Sequence, residues 1–125
     1  MKKILIVEDE RILAVSLKMD LNEIGYQDIT IVTNCEDALE AIQEGKVNLA
    51  LLDINIQGDK SGIDTAHLMS LNSEIPVIFL TGETDTETRI KAEAIPNCKG
   101  YLTKPVNMML LQPLIHQVFS LSVAS

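Results

Sequence analysis

The feature that most constrains the fold of this chain is a regular alternation of short apolar runs with longer amphipathic segments. Short apolar runs that end abruptly in polar residues are typical of strands buried on both faces of a sheet. The intervening segments repeat apolar residues every three or four positions, as helices do. Strands are predicted at residues 4–7, 29–32, 49–52, 76–80 and, more briefly, 101–102.

Five helices are predicted to follow these strands. The first ends at Ile24, before Gly25, and should place Leu13, Leu17, Leu21 and Ile24 on one core-facing side. The second lies between an N-cap at Asn34 and a stop at Gly45. The others are predicted at about residues 63–71, 84–94 and 107–120.

Strands that alternate with helices predict a parallel sheet covered by helices on both faces. We expect an α/β fold of the flavodoxin-like, doubly wound (βα)5 type, and for its five parallel strands we adopt the order 2-1-3-4-5, which the alternation itself does not determine. A length of 125 residues suits a single domain spanning positions 1–125.

Charge and composition exclude several classes of function. The net charge is −8, so the chain repels the phosphate backbone of nucleic acids and lacks a basic face for an anionic membrane. No apolar stretch approaches the ~20 residues of a membrane span. Cys35 and Cys98 are far apart, which favours free thiols in a reducing cytoplasm over a disulfide or zinc site.

Polar side chains that could carry chemistry stand directly after four of the predicted strands. They are Glu8 and Asp9 after the first, Asp53 with Asn55 after the third, Thr81 after the fourth and Lys104 after the fifth. In open α/β sheets, ligands bind outside the carboxyl ends of the strands. If the strand order is 2-1-3-4-5, these four strands are neighbours, and the groups converge on one pocket.

The predicted pocket has the chemistry of phosphoryl transfer. Carboxylates packed together repel one another, and a hard divalent cation such as Mg²⁺ or Mn²⁺ would relieve that repulsion. The metal and Lys104 would offset the charge of an incoming phosphoryl group, and Thr81 would donate a hydrogen bond. Asp53 is then the predicted nucleophile, which would form an aspartyl phosphate.

Four segments of the chain resemble the signature segments of the response-regulator receiver family of two-component signalling. In this sequence they read ILIVEDE at residues 4–10, LLDIN at 51–55, LTG at 80–82 and GYLTKP at 100–105. The similarity runs from Lys3 to about Phe119 and keeps the order and intervals of the four segments.

The resemblance implies a role for each matching residue. Asp53 would be the phosphoacceptor, and the metal ligands would be Glu8, Asp9, Asp53 and the backbone carbonyl of Asn55. Thr81 and Lys104 would hold the phosphoryl oxygens. The remaining implied roles are an aromatic switch at Tyr101, coupled to Thr81, a cis peptide bond before Pro105, and tuning of hydrolysis by Asn55 and Glu83.

The resemblance also implies partners and excludes others. A histidine kinase or a phosphotransfer protein would donate the phosphoryl group, and the domain would catalyse only its own phosphorylation and slow dephosphorylation. The rival interpretations are an Mg²⁺-dependent phosphatase, an interaction module that is not phosphorylated, and a flavin-binding domain. The phosphatase would want a second acid where Asn55 stands, and the flavin site would want a phosphate-binding loop after the first strand.

Two apolar surfaces exceed what the core requires. Ile12, Val15 and Met19 form a second stripe on the first helix, which either its neighbours cover or a partner helix contacts. The last helix is apolar on more than one side, which is compatible with a homodimer or an interdomain contact through that helix.

Overall fold

The computed structural model of the chain describes residues 2–82 and 85–124. Its five strands all run parallel in one sheet, ordered β2-β1-β3-β4-β5. The strands are β1 (Lys3–Val7), β2 (Asp28–Val32), β3 (Val47–Leu52), β4 (Val77–Thr81) and β5 (Cys98–Thr103). The predicted fold class and strand order are confirmed.

Each strand is followed by one helix. The helices are α1 (Arg11–Glu23), α2 (Cys35–Gln43), α3 (Gly62–Asn72), α4 (Thr86–Glu93) and α5 (Met108–Ala124). None of the helices in the described part of the chain combines the length and apolar character needed to cross a membrane.

The sheet separates two aliphatic cores. One core contains Leu5, Leu52 and Phe79 and lies under α2, α3 and α4, whereas the other contains Ile4, Ile78 and Ile115 and lies under α1 and α5. Successive residues of a strand point to opposite faces, so each central strand supplies both cores. This burial on both faces explains why the strands read as continuous apolar runs.

Residues at the ends of the helices set the lengths of these elements. Gly25 has a φ of 106° and donates its N–H to the carbonyl of Asn22, while the N–H of Tyr26 reaches the carbonyl of Leu21. This pair of bonds is a Schellman motif, which favours glycine at the left-handed position. At α3, the Ser61 hydroxyl accepts from the N–H of Asp64, and the Asp64 carboxylate accepts from the N–H of Ser61, forming a capping box.

Three details differ from the sequence prediction. Leu13 was expected in the core, but it is 41% exposed and the small side chain of Ala14 is buried in its place. Strand β5 covers six residues, whereas the sequence predicted only residues 101–102. The strand was underestimated because its half-exposed positions do not show the continuous apolar pattern of a buried strand. Helix α5 continues to Ala124 and passes through Pro113.

Candidate functional site at the carboxyl edge of the sheet

Backbone hydrogen bonds fix the positions of the residues that follow the strands. The N–H of Asp53 donates to the carbonyl of Val7 at 3.0 Å, and the N–H of Lys104 donates to the carbonyl of Thr81 at 2.8 Å. The N–H of Glu8 likewise donates to the carbonyl of Val32 at 3.0 Å. The sheet ladder therefore extends one residue past β1, β3 and β5, and holds the site on rigid backbone.

Three carboxylates meet at this edge. One oxygen from each of Glu8, Asp9 and Asp53 lies within 4.8 Å of the others. Glu8 and Asp53 are buried, each with 6% of its surface exposed, and Asp9 is half-buried. The acids that the sequence placed after β1 and β3 are thus brought together as the strand order requires.

The ammonium group of Lys104 bridges two of these acids. Its Nζ donates to Oε2 of Glu8 at 2.6 Å and to Oδ2 of Asp53 at 2.7 Å. The remaining oxygens also accept hydrogen bonds, Oε1 of Glu8 from the N–H of Glu10 and Oδ1 of Asp53 from the N–H of Asn55. Because both of its carboxylate oxygens accept hydrogen bonds, the side chain of Asp53 is held in one orientation.

The electrostatics of the cluster favour added positive charge. Burial raises the pKa of Glu8, and the charge of Asp53 acts in the same direction, although hydrogen bonds from Lys104 and Glu10 oppose the shift. Burial alone would lower the pKa of Lys104, but its hydrogen bonds to Asp53 and Glu8 and their charges raise it overall. The site therefore keeps its ammonium protonated and resists a further negative charge.

The donor set fits a hard divalent cation. Three carboxylates against one ammonium leave two negative charges at the cluster. All of the side-chain donors offered by Glu8, Asp9 and Asp53 are oxygens, the ligands that Mg²⁺ and Mn²⁺ accept most readily. A bound divalent cation would therefore neutralise the two net negative charges of the cluster.

All but one of the remaining predicted site residues fall in the described part of the chain. Thr81 ends β4 and is fully buried, and Asn55 is exposed in the loop after Asp53. The peptide bond between Lys104 and Pro105 is cis. Tyr101 is buried on β5. Glu83, predicted to tune hydrolysis, lies outside the described residues.

Two residues near the site were not singled out from the sequence. Gly62, the first residue of α3, donates its N–H to the carbonyl of Ile54, and a Cβ at this position would overlap the carbonyl oxygen of Asp53. Arg89 on α4 lies over the ring of Tyr101. For Gly62, the sequence signal is a glycine directly after the serine that caps α3. For Arg89 there is no such signal, because its position depends on the packing of α4 against β5.

The apolar surfaces predicted from the sequence are present. Ile12, Val15 and Met19 on α1 are 84%, 39% and 62% exposed, so neighbouring side chains do not cover the stripe. On α5, Met109 and Leu110 are exposed, while Leu111 and Ile115 are buried. The contact through α5 stays a prediction.

Comparison with known proteins identifies a family and individual relatives that this chain resembles. The family described as the response regulator receiver domain matches residues 4–116. The chain is 32% identical over 108 residues to the transcriptional regulatory protein YvrH of Bacillus subtilis, covering 86% of this chain and 45% of YvrH. It is 34% identical over 85 residues to the DNA-binding response regulator MtrA of Mycobacterium tuberculosis, covering 68% of this chain and 36% of MtrA. The chain thus spans less than half the length of these relatives.

Solved structures show the same similarity over the whole domain. The receiver domain of a modulated diguanylate cyclase from Desulfovibrio desulfuricans superposes with a TM-score of 0.88 at 31% identity, covering 100% of this chain and 99% of that one. The response regulator TrrA of Thermotoga maritima, solved in complex with Mg²⁺ and BeF, gives a TM-score of 0.81 at 28% identity, covering 94% and 99%.

Proposed function

The chain belongs to the response regulator receiver family of two-component signalling, and from this membership we propose that it accepts a phosphoryl group on Asp53. The observation that carries the proposal is the position of the Asp53 carboxylate. One of its oxygens lies within 4.8 Å of carboxylate oxygens of Glu8 and Asp9, and both of its oxygens accept hydrogen bonds, one from the ammonium of Lys104 and one from the N–H of Asn55. A nucleophile fixed in this way meets its substrate with little loss of orientational freedom.

The metal would be held by the side chains of Glu8, Asp9 and Asp53 and by the backbone carbonyl of Asn55. When bound, Mg²⁺ or Mn²⁺ supplies a Lewis acid that offsets the charge of the transferring phosphoryl group. The three carboxylates and the ammonium of Lys104 together carry two negative charges, which match the charge of the ion.

In the transfer step, a carboxylate oxygen of Asp53 forms a bond to phosphorus while the bond from phosphorus to the donor atom breaks. With a phosphohistidine donor, the imidazole nitrogen leaves with the bonding electron pair and takes up a proton. Lys104 then holds a phosphoryl oxygen with the ammonium that it directs at Asp53 in the free protein, and the Thr81 hydroxyl donates to another.

The proposed partners follow from this chemistry. A histidine kinase or a phosphotransfer protein would supply the phosphoryl group, and hydrolysis of the aspartyl phosphate would reset the domain slowly, at a rate tuned by Asn55 and Glu83. Thr81 would move toward the phosphoryl group and Tyr101 would turn inward, which would pass the signal to an output domain or partner. We propose the cytoplasm as the location, and a homodimer through α5 as one means of output.

Phosphorylation by a small-molecule donor tests the assignment directly. The protein is incubated with acetyl phosphate and Mg²⁺ and its intact mass is measured. We expect a gain of one phosphoryl group that Asp53→Asn abolishes and that chelation of the metal prevents. Asp59→Asn is the matched control, because Asp59 is an exposed acid in the loop that follows Asp53.

Two outcomes would overturn the proposal. If the wild-type protein gains no mass, the chain is an interaction module that is not phosphorylated. If Asp53→Asn still gains one phosphoryl group, another residue is the acceptor. Turnover of a small phosphate ester would instead favour the phosphatase interpretation.

A further inference from the structure

Tyr101 and Thr81 project from the same face of the sheet. Tyr101 on β5 pairs with Phe79 on β4, and Thr103 pairs with Thr81, with the pair of Leu80 and Leu102 between them in register. The ring centroids of Phe79 and Tyr101 are 6.3 Å apart. Since side chains two residues apart share a face, Tyr101 lies next to the space that Thr81 occupies.

The ring of Tyr101 is buried, with 7% of the residue exposed, although β5 is the edge strand of the sheet. Helix α4 covers this part of the edge, and its Arg89 places Cζ 5.2 Å from the centroid of the Tyr101 ring. A guanidinium at this distance over an aromatic face is attracted by the ring quadrupole. The cation therefore favours the buried ring over an orientation turned out to solvent.

A carboxylate one helical turn further on holds Arg89. Its Nε donates to Oε1 of Glu93 at 3.2 Å, in an i,i+4 pair on α4. Both side chains are about half exposed, so this pair adds little stability by itself. Its effect is on orientation, because the bond restricts Arg89 to the side of the helix that faces Tyr101.

We propose that Arg89 is a positioning residue that holds Tyr101 in its buried orientation, and that Glu93 orients Arg89 for this contact. The part of the inference that concerns the free protein is independent of phosphorylation. Its consequence for signalling rests on the proposed function, in which Thr81 moves toward the phosphoryl group and Tyr101 turns inward. Arg89 would then populate the inward state of Tyr101 before any phosphoryl group arrives.

The size of the effect follows from the contact. A cation–π interaction at a partly exposed site shifts an equilibrium about two- to fivefold. For a ligand that binds only the inward state, the apparent dissociation constant is the intrinsic constant divided by the fraction of molecules in that state. Removing the cation should therefore raise the concentration of a phosphoryl analogue needed for half-saturation by at most this factor, and by less where the inward state still predominates.

Tyrosine fluorescence gives a direct measure of the orientation of Tyr101. The chain has no tryptophan and two tyrosines, so Tyr26→Phe leaves Tyr101 as the only fluorescent reporter of this kind. Phenylalanine preserves the edge-to-face contact that Tyr26 makes with Phe119. In this background, acrylamide quenching of the free protein is compared among Arg89→Met, Arg89→Lys, Glu93→Gln and Lys91→Met.

We expect the quenching constant to rise by about two- to fivefold in Arg89→Met, less in Glu93→Gln, and little in Arg89→Lys, which keeps a cation. Lys91→Met is the matched control, since Lys91 forms another exposed i,i+4 pair on α4, with Glu87. Methionine keeps the apolar length of the side chain, so equal quenching in Arg89→Met and wild type would overturn the proposal. An equal rise in Lys91→Met would also overturn it, by showing that loosening of α4 is sufficient.

Titration with beryllofluoride and Mg²⁺ tests the link to signalling. We expect Arg89→Met to need more beryllofluoride for half-saturation than Lys91→Met, by at most about fivefold. Equal midpoints together with altered quenching would overturn the coupling but leave the positioning role. If no variant, including wild type, binds beryllofluoride, the proposed function fails, and the quenching comparison still decides the role of Arg89.

Discussion

The ammonium of Lys104 donates a hydrogen bond to the carboxylate of Asp53 at 2.7 Å, although the two residues are 51 positions apart in sequence. The same nitrogen also reaches Glu8, so one cation serves two buried acids. In the metal-free protein this lysine therefore compensates a charge cluster that would otherwise oppose folding.

Lys104→Met should destabilise the metal-free protein by about 2 kcal/mol, because it leaves buried carboxylates without their charged hydrogen-bond partner. Urea unfolding in the presence of a chelator measures the change. Mg²⁺ should stabilise the variant more than it stabilises wild type. Lys99→Met, at an exposed position of β5, is the control and should stay within about 0.5 kcal/mol of wild type. Equal losses in the two variants would contradict the bridging role.

Gly62→Ala should distort the backbone at Asp53. The added Cβ overlaps the carbonyl oxygen of Asp53 and crowds the backbone of Ile54, neither of which can move as a flexible side chain would. We expect a loss of about 1–3 kcal/mol in unfolding free energy, together with slower phosphorylation by acetyl phosphate.

Gly82→Ala is the matched control for this substitution. Among the described residues, a Cβ at Gly82 meets no atom within 4 Å, and the position does not require a positive φ. Its stability should change by less than about 0.5 kcal/mol. A Gly62→Ala protein with wild-type stability and phosphorylation rate would show that α3 can shift away from Asp53 without cost.

Ser61→Ala should lower the stability by about 1 kcal/mol, because it removes the hydroxyl that caps the N–H of Asp64 at the start of α3. Thermal unfolding measures the loss. Ser70→Ala, in the last turns of the same helix, should be near neutral, since alanine has the higher helix propensity there. If the two alanine variants unfold alike, the capping box contributes nothing measurable.

The thiol of Cys98 should react slowly with iodoacetamide in the folded protein. Burial raises its pKa above the ordinary value of 9.0, and the charge of Glu93 adds to the shift, while a backbone hydrogen bond from Gly100 to the thiolate and the charge of Lys99 oppose it. Because the unfolded state ionises first, stability should fall as the pH rises above about 9.0. The rate of alkylation of the Cys35→Ala protein, measured by intact mass from pH 7 to 10, gives the pKa of the Cys98 thiol. A lower pKa in the folded protein than in the urea-unfolded protein would contradict the prediction.

Sequence patterns predicted most of the fold because the central strands are buried on both faces. Their continuous apolar runs, and the polar residues directly after them, predicted the positions of Glu8, Asp9, Asp53, Thr81 and Lys104. The edge strand β5 was underestimated because one of its faces is half-exposed, which weakens the pattern.

Contacts that depend on tertiary packing could not be predicted in the same way. Helical periodicity assigned Leu13 to the core, but the space between α1 and the sheet is filled by Ala14, and periodicity does not distinguish close from distant packing. Similarly, the approach of Gly62 to the Asp53 backbone and the position of Arg89 over Tyr101 each join two elements whose spacing only the folded chain defines.

The bridge between Glu8 and Lys104 joins residues 96 positions apart. During synthesis, the acids that follow β1 and β3 leave the ribosome well before the lysine that neutralises them. A nascent chain that ends before β5 therefore carries an uncompensated negative cluster and an incomplete sheet edge. The charge balance of the site thus depends on completing nearly the whole domain, so a truncated chain should not retain the proposed phosphoryl-accepting centre.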